Sequence, residues 1–368
     1  MSPTTLHRRE AGLSLVELMV GMLIGLIGII IITHLYVTND QYKRSTTGSG
    51  TAQVNGAVAL YTLEREIRMA GYGINHSAAL GCTCAAPLCS PVQYYYNGNS
   101  SFPPAGGAAG ALPARIPAPV LISDIPGGSD MITVLYSAAN ERMLPAAVSE
   151  PTVAPNHDYK VDGAQGFADN NLILVSQGGT CFLKQISKVQ AGTSTLEHRT
   201  GPYNPAGSFG PPLNAGAAIF NLGTPTATGG PVWRTFFVAG NRLQAEDVLR
   251  TLAAGAAATQ QLVDDIVDLQ AQYGKDDGSV PGTTADDNVV DAWDTVPPAD
   301  ATAWQRVLAV RVALLARSQN FEKPGTAGGP CEATTLANAP TWSGGAFTVP
   351  GGLPNVQWCA VSAINLYG

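Results

Sequence analysis

Residues 13–32 read LSLVELMVGMLIGLIGIIII, and this apolar run decides the first element of the fold. Only one of its residues carries a charge, and a helix of this length spans the hydrocarbon core of a bilayer, roughly 30 Å. A buried core helix and a cleaved secretory signal are the alternatives. However, a run this long at the N-terminus is rarely core, and residues 33–36 offer no small-x-small cleavage site. The sequence therefore predicts a single membrane-spanning helix.

The charges around the apolar run predict its orientation. Arg8 and Arg9 precede the run, and basic residues favour the cytoplasmic side of a membrane. The chain beyond about residue 35 is therefore expected outside the cytoplasm. The formal net charge of −7 lacks the basic footprint of a nucleic-acid-binding protein, so no nucleic-acid partner is expected.

Glu17 is the one charged residue of the run. A carboxylate well inside hydrocarbon is unfavourable by several kcal/mol unless a partner neutralises it. Glu17 can be a tolerated charge near the helix end, or it can meet a specific positive partner inside the membrane. The second interpretation predicts a contact between subunits.

The residues around Glu17 closely resemble a known processing signal. Residues 10–17 read EAGLSLVE, with a glycine before the apolar run and a glutamate within it. This pattern is similar to the class III signal of type IV prepilins and pseudopilins, which a prepilin peptidase cuts after the glycine. The resemblance implies cleavage between Gly12 and Leu13 and N-methylation of Leu13. It also makes Glu17 the fifth residue of the mature chain, where the family places its glutamate.

The physical chemistry agrees with that resemblance. Cleavage exposes an ammonium at Leu13, and the carboxylate of Glu17 can pair with an ammonium on a neighbouring subunit. Each charge alone is unfavourable in hydrocarbon, so pairing them favours assembly in register. Leu13 stands where major pilins usually have phenylalanine, which favours a minor subunit.

The helix is expected to continue beyond the membrane as an amphipathic segment. Val54, Val58 and Tyr61 follow one apolar stripe at helical spacing, and Leu60, Leu63 and Ile67 follow an overlapping one. The resemblance to pilins implies that the stripe packs on a β-sheet. Gly48 and Gly50 are expected to weaken the helix, because glycine has low helix propensity. Four charged residues are expected on its polar faces: Glu64, Arg65, Glu66 and Arg68.

Beyond the helix, which Gly71 and Gly73 are expected to end, short apolar runs alternate with turn-rich stretches. This pattern predicts strands, with turns at residues 178–179 and 240–241. The strands are expected at residues 131–136, 172–176, 181–189, 232–239 and 306–317.

Three further stretches are less regular. Residues 97–128 and 201–231 are rich in glycine and proline and are interpreted as surface loops. Residues 261–273, QLVDDIVDLQAQY, fit both a helix and a strand. Alternating polar and apolar residues toward the end of this stretch favour a strand there.

The order of segments in residues 231–320 carries a second resemblance. WRTFF is followed by LVDDIVDLQAQYG, an acidic insert and a strand that begins near Trp304. This order is similar to the C-terminal region of the PilW family of minor pilins, relatives of the J-type minor pseudopilins of type II secretion. The resemblance implies an α+β, pilin-like fold, in which the long N-terminal helix packs on an antiparallel β-sheet with long Gly/Pro-rich loops. The expected parts are a cleaved cytoplasmic leader (1–12), a transmembrane helix (13–35), its continuation (36–73) and an extracytoplasmic β-rich domain (74–368).

The resemblance also implies a function. It points to a minor pilin, a structural subunit that helps initiate or prime type IV pilus assembly near the fibre tip. A minor pseudopilin of a type II secretion system and a tip adhesin are the alternatives. Expected partners are the prepilin peptidase, the inner-membrane assembly platform, other minor pilins and the major pilin. The chain is expected in the inner membrane with its C-terminal domain in the periplasm, and later in the fibre at the cell surface.

No catalytic motif competes with this interpretation. The sequence contains no nucleophile elbow, P-loop or HExxH pattern, and its histidines form no metal-ligand pair. We therefore expect neither enzymatic activity nor a cofactor.

Six cysteines follow the apolar run: Cys82, Cys84, Cys89, Cys181, Cys331 and Cys359. Outside the cytoplasm they are expected to be oxidised. Cys82 and Cys84 are two positions apart, and in an extended chain such neighbours point the same way but lie too far apart to pair easily with each other. The set Cys84–Cys89, Cys331–Cys359 and Cys82–Cys181 is one of fifteen pairings, among which the sequence does not choose.

The insert at residues 275–294 is acidic, and oxygen-rich loops can bind Ca²⁺ outside the cell. Its spacing does not match the EF-hand pattern, and a solvated loop is the simpler interpretation. The calcium alternative rests on Asp276, Asp277, Asp286, Asp287 and Asp291. Asp294 completes the acidic set.

Overall fold

A computed structural model describes most of the chain. The described residues are 14–82, 117–125, 127–139, 142–152, 158–204, 212–225, 229–254, 258–319, 341–347 and 358–367. For 358–367 the description is limited to the backbone.

One long helix, α1, extends from Leu15 to Met69. Its 55 residues reach about 80 Å at the usual rise per residue. The helix ends just before Gly71 and Gly73, whose φ angles of +83° and +74° lie in the region that favours glycine. The predicted end of the helix is therefore confirmed.

The predicted weak point in α1 is wrong, because the helix continues through Gly48 and Gly50. Gly48 is buried and forms a stripe of small residues with Ala52, Gly56 and Ala59 on one face of the helix. Small side chains allow the helix backbone to approach the sheets closely. Tertiary packing thus offsets the low helix propensity of glycine.

Short antiparallel strands make up most of the remaining structure. The described strands are β1 (Val120–Ser123), β2 (Met131–Tyr136), β3 (Ala146–Ala147), β4 (Asp158–Lys160), β5 (Leu172–Gln177), β6 (Thr180–Gln185), β7 (Lys188–Gln190), β8 (Thr195–Glu197), β9 (Ala218–Gly223), β10 (Val232–Ala239), β11 (Arg242–Asp247), β12 (Thr259–Asp264), β13 (Ile266–Lys275), β14 (Ala292–Asp294), β15 (Val307–Arg317), β16 (Thr341–Trp342), β17 (Gly345–Ala346) and β18 (Trp358–Tyr367). Two short helices, α2 (Val248–Ala254) and α3 (Ala301–Gln305), and a 3-10 turn at Ala191–Thr193 complete the described elements.

The strands form several antiparallel sheets. The first sheet has the order β1-β2-β10-β11-β12, the second β14-β13-β15-β18, and the third β3-β9-β5-β6. Strands β4, β8 and β7 form a smaller sheet, and β16 with β17 forms a hairpin. With the long N-terminal helix, this arrangement confirms the predicted α+β class.

The main core lies between α1 and the first two sheets. Leu60 and Leu63 of α1 share it with Val134 of the first sheet and with Val312 and Leu314 of the second. A second core joins the segment after α1 to the third sheet, and a third core lies between the third sheet and the smaller one. The predicted sheet-facing stripe of α1 is thus confirmed for Leu60 and Leu63, whereas Val54, Val58 and Tyr61 of the overlapping stripe are exposed.

Most strand predictions are confirmed, and two loop predictions are wrong in part. Hairpins turn at residues 178–179 and 240–241, and residues 261–273 lie in two strands rather than a helix. However, the stretches interpreted as surface loops contain β1 and β9. Both strands are largely buried. Each is a short apolar run within a longer turn-rich stretch, and it becomes a strand because β1 pairs with β2 and β9 pairs with β5.

Tyr273 joins the first sheet to the second. Its buried hydroxyl accepts a hydrogen bond from the backbone N–H of Ile122 at 2.6 Å and lies 3.3 Å from the carbonyl oxygen of Val120. The hydroxyl thereby satisfies backbone groups of β1, the edge strand of the first sheet. Burial raises the pKa of Tyr273, which therefore stays a hydrogen-bond donor at neutral pH.

Candidate assembly helix and its anchorage

The start of α1 positions Glu17 within its own chain. Ser14 caps the helix, because its hydroxyl accepts from the backbone N–H groups of Val16 at 3.2 Å and Glu17 at 3.4 Å. In return, Oε2 of Glu17 accepts from the backbone N–H of Ser14 at 3.0 Å. This reciprocal capping box holds the carboxylate at the positive end of the helix dipole. The predicted cleavage residues, Gly12 and Leu13, lie outside the described residues.

The first part of α1 has no protein cover. Its large apolar side chains, from Leu15 to Val37, are each between 48% and 76% exposed. Within the described part of the chain, α1 is the single helix that is long and apolar enough to cross a membrane. An uncovered apolar surface of this length fits a lipid bilayer or the helices of other subunits.

The second part of α1 has two apolar faces. One face is buried on the sheets through Leu60 and Leu63. Val54, Val58 and Tyr61 follow another face at helical spacing and are 61%, 49% and 66% exposed. An exposed apolar face of α1 therefore continues beyond the segment expected in the membrane.

Glu66 fixes α1 to the first sheet. It is only 3% exposed, and its Oε2 accepts from the hydroxyl of Tyr136 at 3.0 Å. Its Oε1 lies 3.0 Å from Arg65 and 3.3 Å from Arg234 of β10. Burial, together with the charge of Glu66, raises the pKa of Tyr136 to about 12.

The prediction of a polar face was therefore wrong for Glu66. Its position, three residues after the buried Leu63, places it on the apolar stripe, and that spacing was the available signal. The sequence did not reveal the partners, because Tyr136 and Arg234 lie far along the chain. Breaking such a buried pair on one side is strongly destabilising, so this group sets how α1 meets the sheet.

Residues 70–82, here called the connector, join α1 to the remainder of the domain. The backbone N–H of Gly71 donates to the carbonyl of Leu135 at 2.9 Å, and the N–H of Ser137 donates to the carbonyl of Tyr72 at 2.8 Å. Ile74 is buried in the core of the third sheet. The connector is thus held by two sheets directly after the helix ends.

A disulfide closes the far end of the connector. Cys82 is bonded to Cys181 of β6, 99 positions later, and both residues are buried. This pairing belongs to the set that the sequence analysis considered. Cys84, Cys89 and Cys331 lie outside the described residues, and of Cys359 the backbone alone is described, in β18.

The acidic insert is a hydrogen-bonded loop between β13 and β14. Asp286 binds the guanidinium of Arg306 through both oxygens, at 2.9 and 2.8 Å. Asp294 binds Lys275 at 2.7 Å. Among the residues that the structure describes, no three His, Cys, Asp or Glu side chains gather in a metal-binding arrangement.

A buried carboxyl group links the β1–β2 turn to β13. Asp130 is 1% exposed, and its Oδ2 accepts from the backbone N–H of Ala271 at 2.9 Å. Burial raises the pKa of Asp130 from 3.8 to about 7, the hydrogen bond from Ala271 opposes this rise, and the charges of Asp124 and Asp268 add to it. Below about pH 7 the neutral form is therefore favoured in the folded state.

This pKa predicts a pH-dependent stability. A folded-state pKa above the unfolded value gives stability that is complete below about pH 4 and is lost as the pH rises through 7. Asp130 should contribute a fall of up to about 1.4 kcal/mol per pH unit in the free energy of unfolding across this range. Denaturant unfolding of an Asp130→Asn variant should lack this component. An Asp124→Asn variant, which removes an exposed carboxylate nearby, should keep most of it, because burial is the largest cause of the shift. Equal slopes in wild type and Asp130→Asn would contradict the assignment.

The fold and the helix together define a class. A long N-terminal helix with an uncovered apolar part, packed by its other part on antiparallel sheets, is the architecture expected of a membrane-anchored pilin. Residues 7–33 match the family model described as prokaryotic N-terminal methylation motif. Residues 235–349, which include most of β10 and all of β11 to β17, match the model described as type IV pilus-assembly protein W.

These two matches confirm the predicted resemblance to a prepilin-type minor pilin of the PilW family, and they support a pilin related to type IV pili. Neither a curated protein nor a solved structure matches the chain.

Proposed function

We propose that this chain is a minor pilin that helps initiate or prime type IV pilus assembly, near the tip of the fibre. The observation that carries the proposal is the coincidence, in one chain, of a methylation motif at the start of an uncovered apolar helix and a PilW-type segment in the sheets behind it. The large globular domain supports a tip position, because such a domain is hard to repeat along a fibre. The match to a pilus-assembly family favours a pilus over a type II secretion system.

The proposed sequence of events follows from the N-terminal segment. The chain enters the inner membrane through residues 13–35, with the leader 1–12 in the cytoplasm and residues 74–368 in the periplasm. The prepilin peptidase cuts between Gly12 and Leu13, and Leu13 is methylated. The subunit then meets other minor pilins and the major pilin at the inner-membrane assembly platform, and leaves in the fibre. The role is structural rather than enzymatic.

The test of this class is the N-terminal mass of the protein in cells with and without prepilin peptidase. We expect a chain that starts at methylated Leu13 when the peptidase is present, and a chain with its leader when it is absent. Electron microscopy of a strain that lacks this protein should then show at least about tenfold fewer pili. A tenfold decrease corresponds to a loss of about 1.4 kcal/mol in the free energy of assembly. An uncut chain in both strains would overturn the proposal.

The role of Glu17 can be separated from the capping of α1. A Glu17→Gln variant removes the charge but keeps the capping box with Ser14, because glutamine serves equally at this position. We expect this variant to be cut normally and to enter the fibre at least about tenfold less, since an unpaired ammonium in hydrocarbon is unfavourable by more than 1.4 kcal/mol. Normal assembly of Glu17→Gln would limit Glu17 to its capping role.

A further inference from the structure

The acidic insert contains a buried carboxylate whose hydrogen bonding is incomplete. Asp276 is 2% exposed, and its Oδ2 accepts from the backbone N–H of Asn288 at 2.6 Å. Its Oδ1 is buried and has no hydrogen-bond partner among the described residues. A buried carboxylate oxygen without a partner is unfavourable, and a cation beside it would remove that penalty.

A second aspartate, Asp291, lies opposite Asp276 at the neck of the loop formed by residues 276–291, where the two ends of the loop meet. The backbone N–H of Asp291 donates to the carbonyl of Lys275 at 2.8 Å, which brings the two aspartates close in space. Oδ2 of Asp291 accepts from the backbone N–H of Gly278 at 2.7 Å. Asp276 and Asp291 therefore both turn their carboxylates toward the backbone of the loop that they close.

The nearby guanidinium of Arg306 does not bind the unpartnered Oδ1 of Asp276. The carbonyl of Arg306 accepts from the backbone N–H of Asp276 at 2.9 Å, but its guanidinium is held by Asp286. No ion pair to Asp276 occurs in the part of the chain that the structure describes. The positive charge of Arg306 thus lies in the neighbourhood without occupying the position beside Oδ1.

The other aspartates of the loop are engaged elsewhere. Oδ1 of Asp277 accepts from the backbone N–H of Ser279 at 3.0 Å. Asp287 accepts from the hydroxyl of Thr284 at 3.1 Å and from the backbone N–H of Val289 at 2.9 Å. These contacts are local turns at the exposed side of the loop. The hydrogen bonding therefore separates Asp276 and Asp291 from the other residues of the acidic set.

We propose that the neck of this loop binds a calcium ion between Oδ1 of Asp276 and the carboxylate of Asp291, with backbone carbonyls and water as the remaining ligands. A donor set made of oxygen atoms suits hard cations rather than zinc or copper. An irregular loop accommodates the flexible coordination of Ca²⁺ better than the strict octahedron of Mg²⁺. Because only two carboxylates take part, the expected Kd is roughly 10⁻⁴ to 10⁻³ M, as in extracellular calcium modules. This site is independent of the proposed function.

The test uses the full chain, purified in detergent and freed of metal with a chelator. Addition of about 10 mM CaCl2, ten or more times the expected Kd, should raise the thermal unfolding midpoint by about 2 °C or more. The same ionic strength supplied as NaCl should have no such effect, and MgCl2 should have a smaller one. Titration calorimetry should show one saturable site.

Matched variants make the result specific. Asp276→Asn and Asp287→Asn remove the same charge from the same loop, but only Asp276→Asn should lose the calcium-dependent shift. Without calcium, Asp276→Asn should be no less stable than wild type, because asparagine keeps the acceptor for Asn288 and removes the incompletely bonded charge. Asp291→Asn should also lose the shift, and it serves if Asp276→Asn does not fold. No shift in wild type, or equal shifts in Asp276→Asn and Asp287→Asn, would overturn the site while leaving N-terminal processing unaffected.

Discussion

Replacement of Cys82 and Cys181 together by alanine is expected to lower the free energy of unfolding by about 4 kcal/mol. The disulfide joins residues 99 positions apart, and a crosslink of this span removes much of the conformational entropy of the unfolded chain. It also fastens the connector to β6 directly after the chain leaves α1. Loss of the bond should therefore weaken the link between the helix and the third sheet before it affects the main core.

The measurement is urea unfolding of the full chain in detergent, followed by tryptophan fluorescence. A Cys84→Ala/Cys89→Ala variant is the matched control, because it also removes two cysteines. The pair Cys84–Cys89, if it forms as one of the predicted pairings, closes a loop of only a few residues and should contribute about 2 kcal/mol, half as much as the long loop. A Cys82→Ala/Cys181→Ala variant as stable as wild type would show that the connector is held without the disulfide.

Substitution of Gly81 by alanine is expected to lower the free energy of unfolding by about 3 kcal/mol. Gly81 has a φ of +67°, and a Cβ atom there would lie 2.4 Å from the backbone nitrogen of Ala301 and 2.4 Å from the carbonyl carbon of Asp300. Neither contact can be relieved by a side-chain rotation, because both atoms belong to the backbone at the start of α3. The connector would have to move away from α3, and Cys82 would move with it.

Gly127→Ala is the control for this prediction. Gly127 has a φ of +74°, but no atom lies within 4 Å of its added Cβ. Both variants therefore carry the strain of a left-handed backbone, about 1 kcal/mol, and only Gly81→Ala adds the clash. Urea unfolding is expected to give free energies of unfolding that differ by about 2 kcal/mol between the two variants. Equal losses of unfolding free energy in the two variants would mean that the connector can move away from α3 without destabilising the protein.

The sequence predicted the elements whose signal is local. The stripe of Leu60 and Leu63, the strand at residues 306–317 and the turn at residues 240–241 each have a signal within a few neighbouring residues, and all three are confirmed. Strand β9 was missed because its six residues stand inside a Gly/Pro-rich stretch, whose average composition indicated a loop. This segment forms a strand because it pairs with β5, and the residues of β5 lie too far along the chain to be part of the local pattern around β9.

The candidate sites divide in the same way. The motif at residues 10–17 is contiguous, and its match to a methylation-motif family needs no tertiary information. The acidic residues of the insert were predicted as one set, and the hydrogen bonds of the folded loop distinguish Asp276 and Asp291 from their neighbours. Glu66 was predicted on a polar face although its helical spacing from Leu63 matches the buried stripe, and its partners Tyr136 and Arg234 could be found only in the fold.

By itself the sequence determined the apolar span, the processing motif, the long helix and most of the strands, because hydrophobic periodicity and length act over neighbouring residues. The tertiary structure decided which cysteines meet, which carboxylates are buried, and how the connector is held between the sheets. The physical reason is that burial and pairing depend on contacts between distant segments, as in the bond between Cys82 and Cys181, and local periodicity carries no information about such contacts.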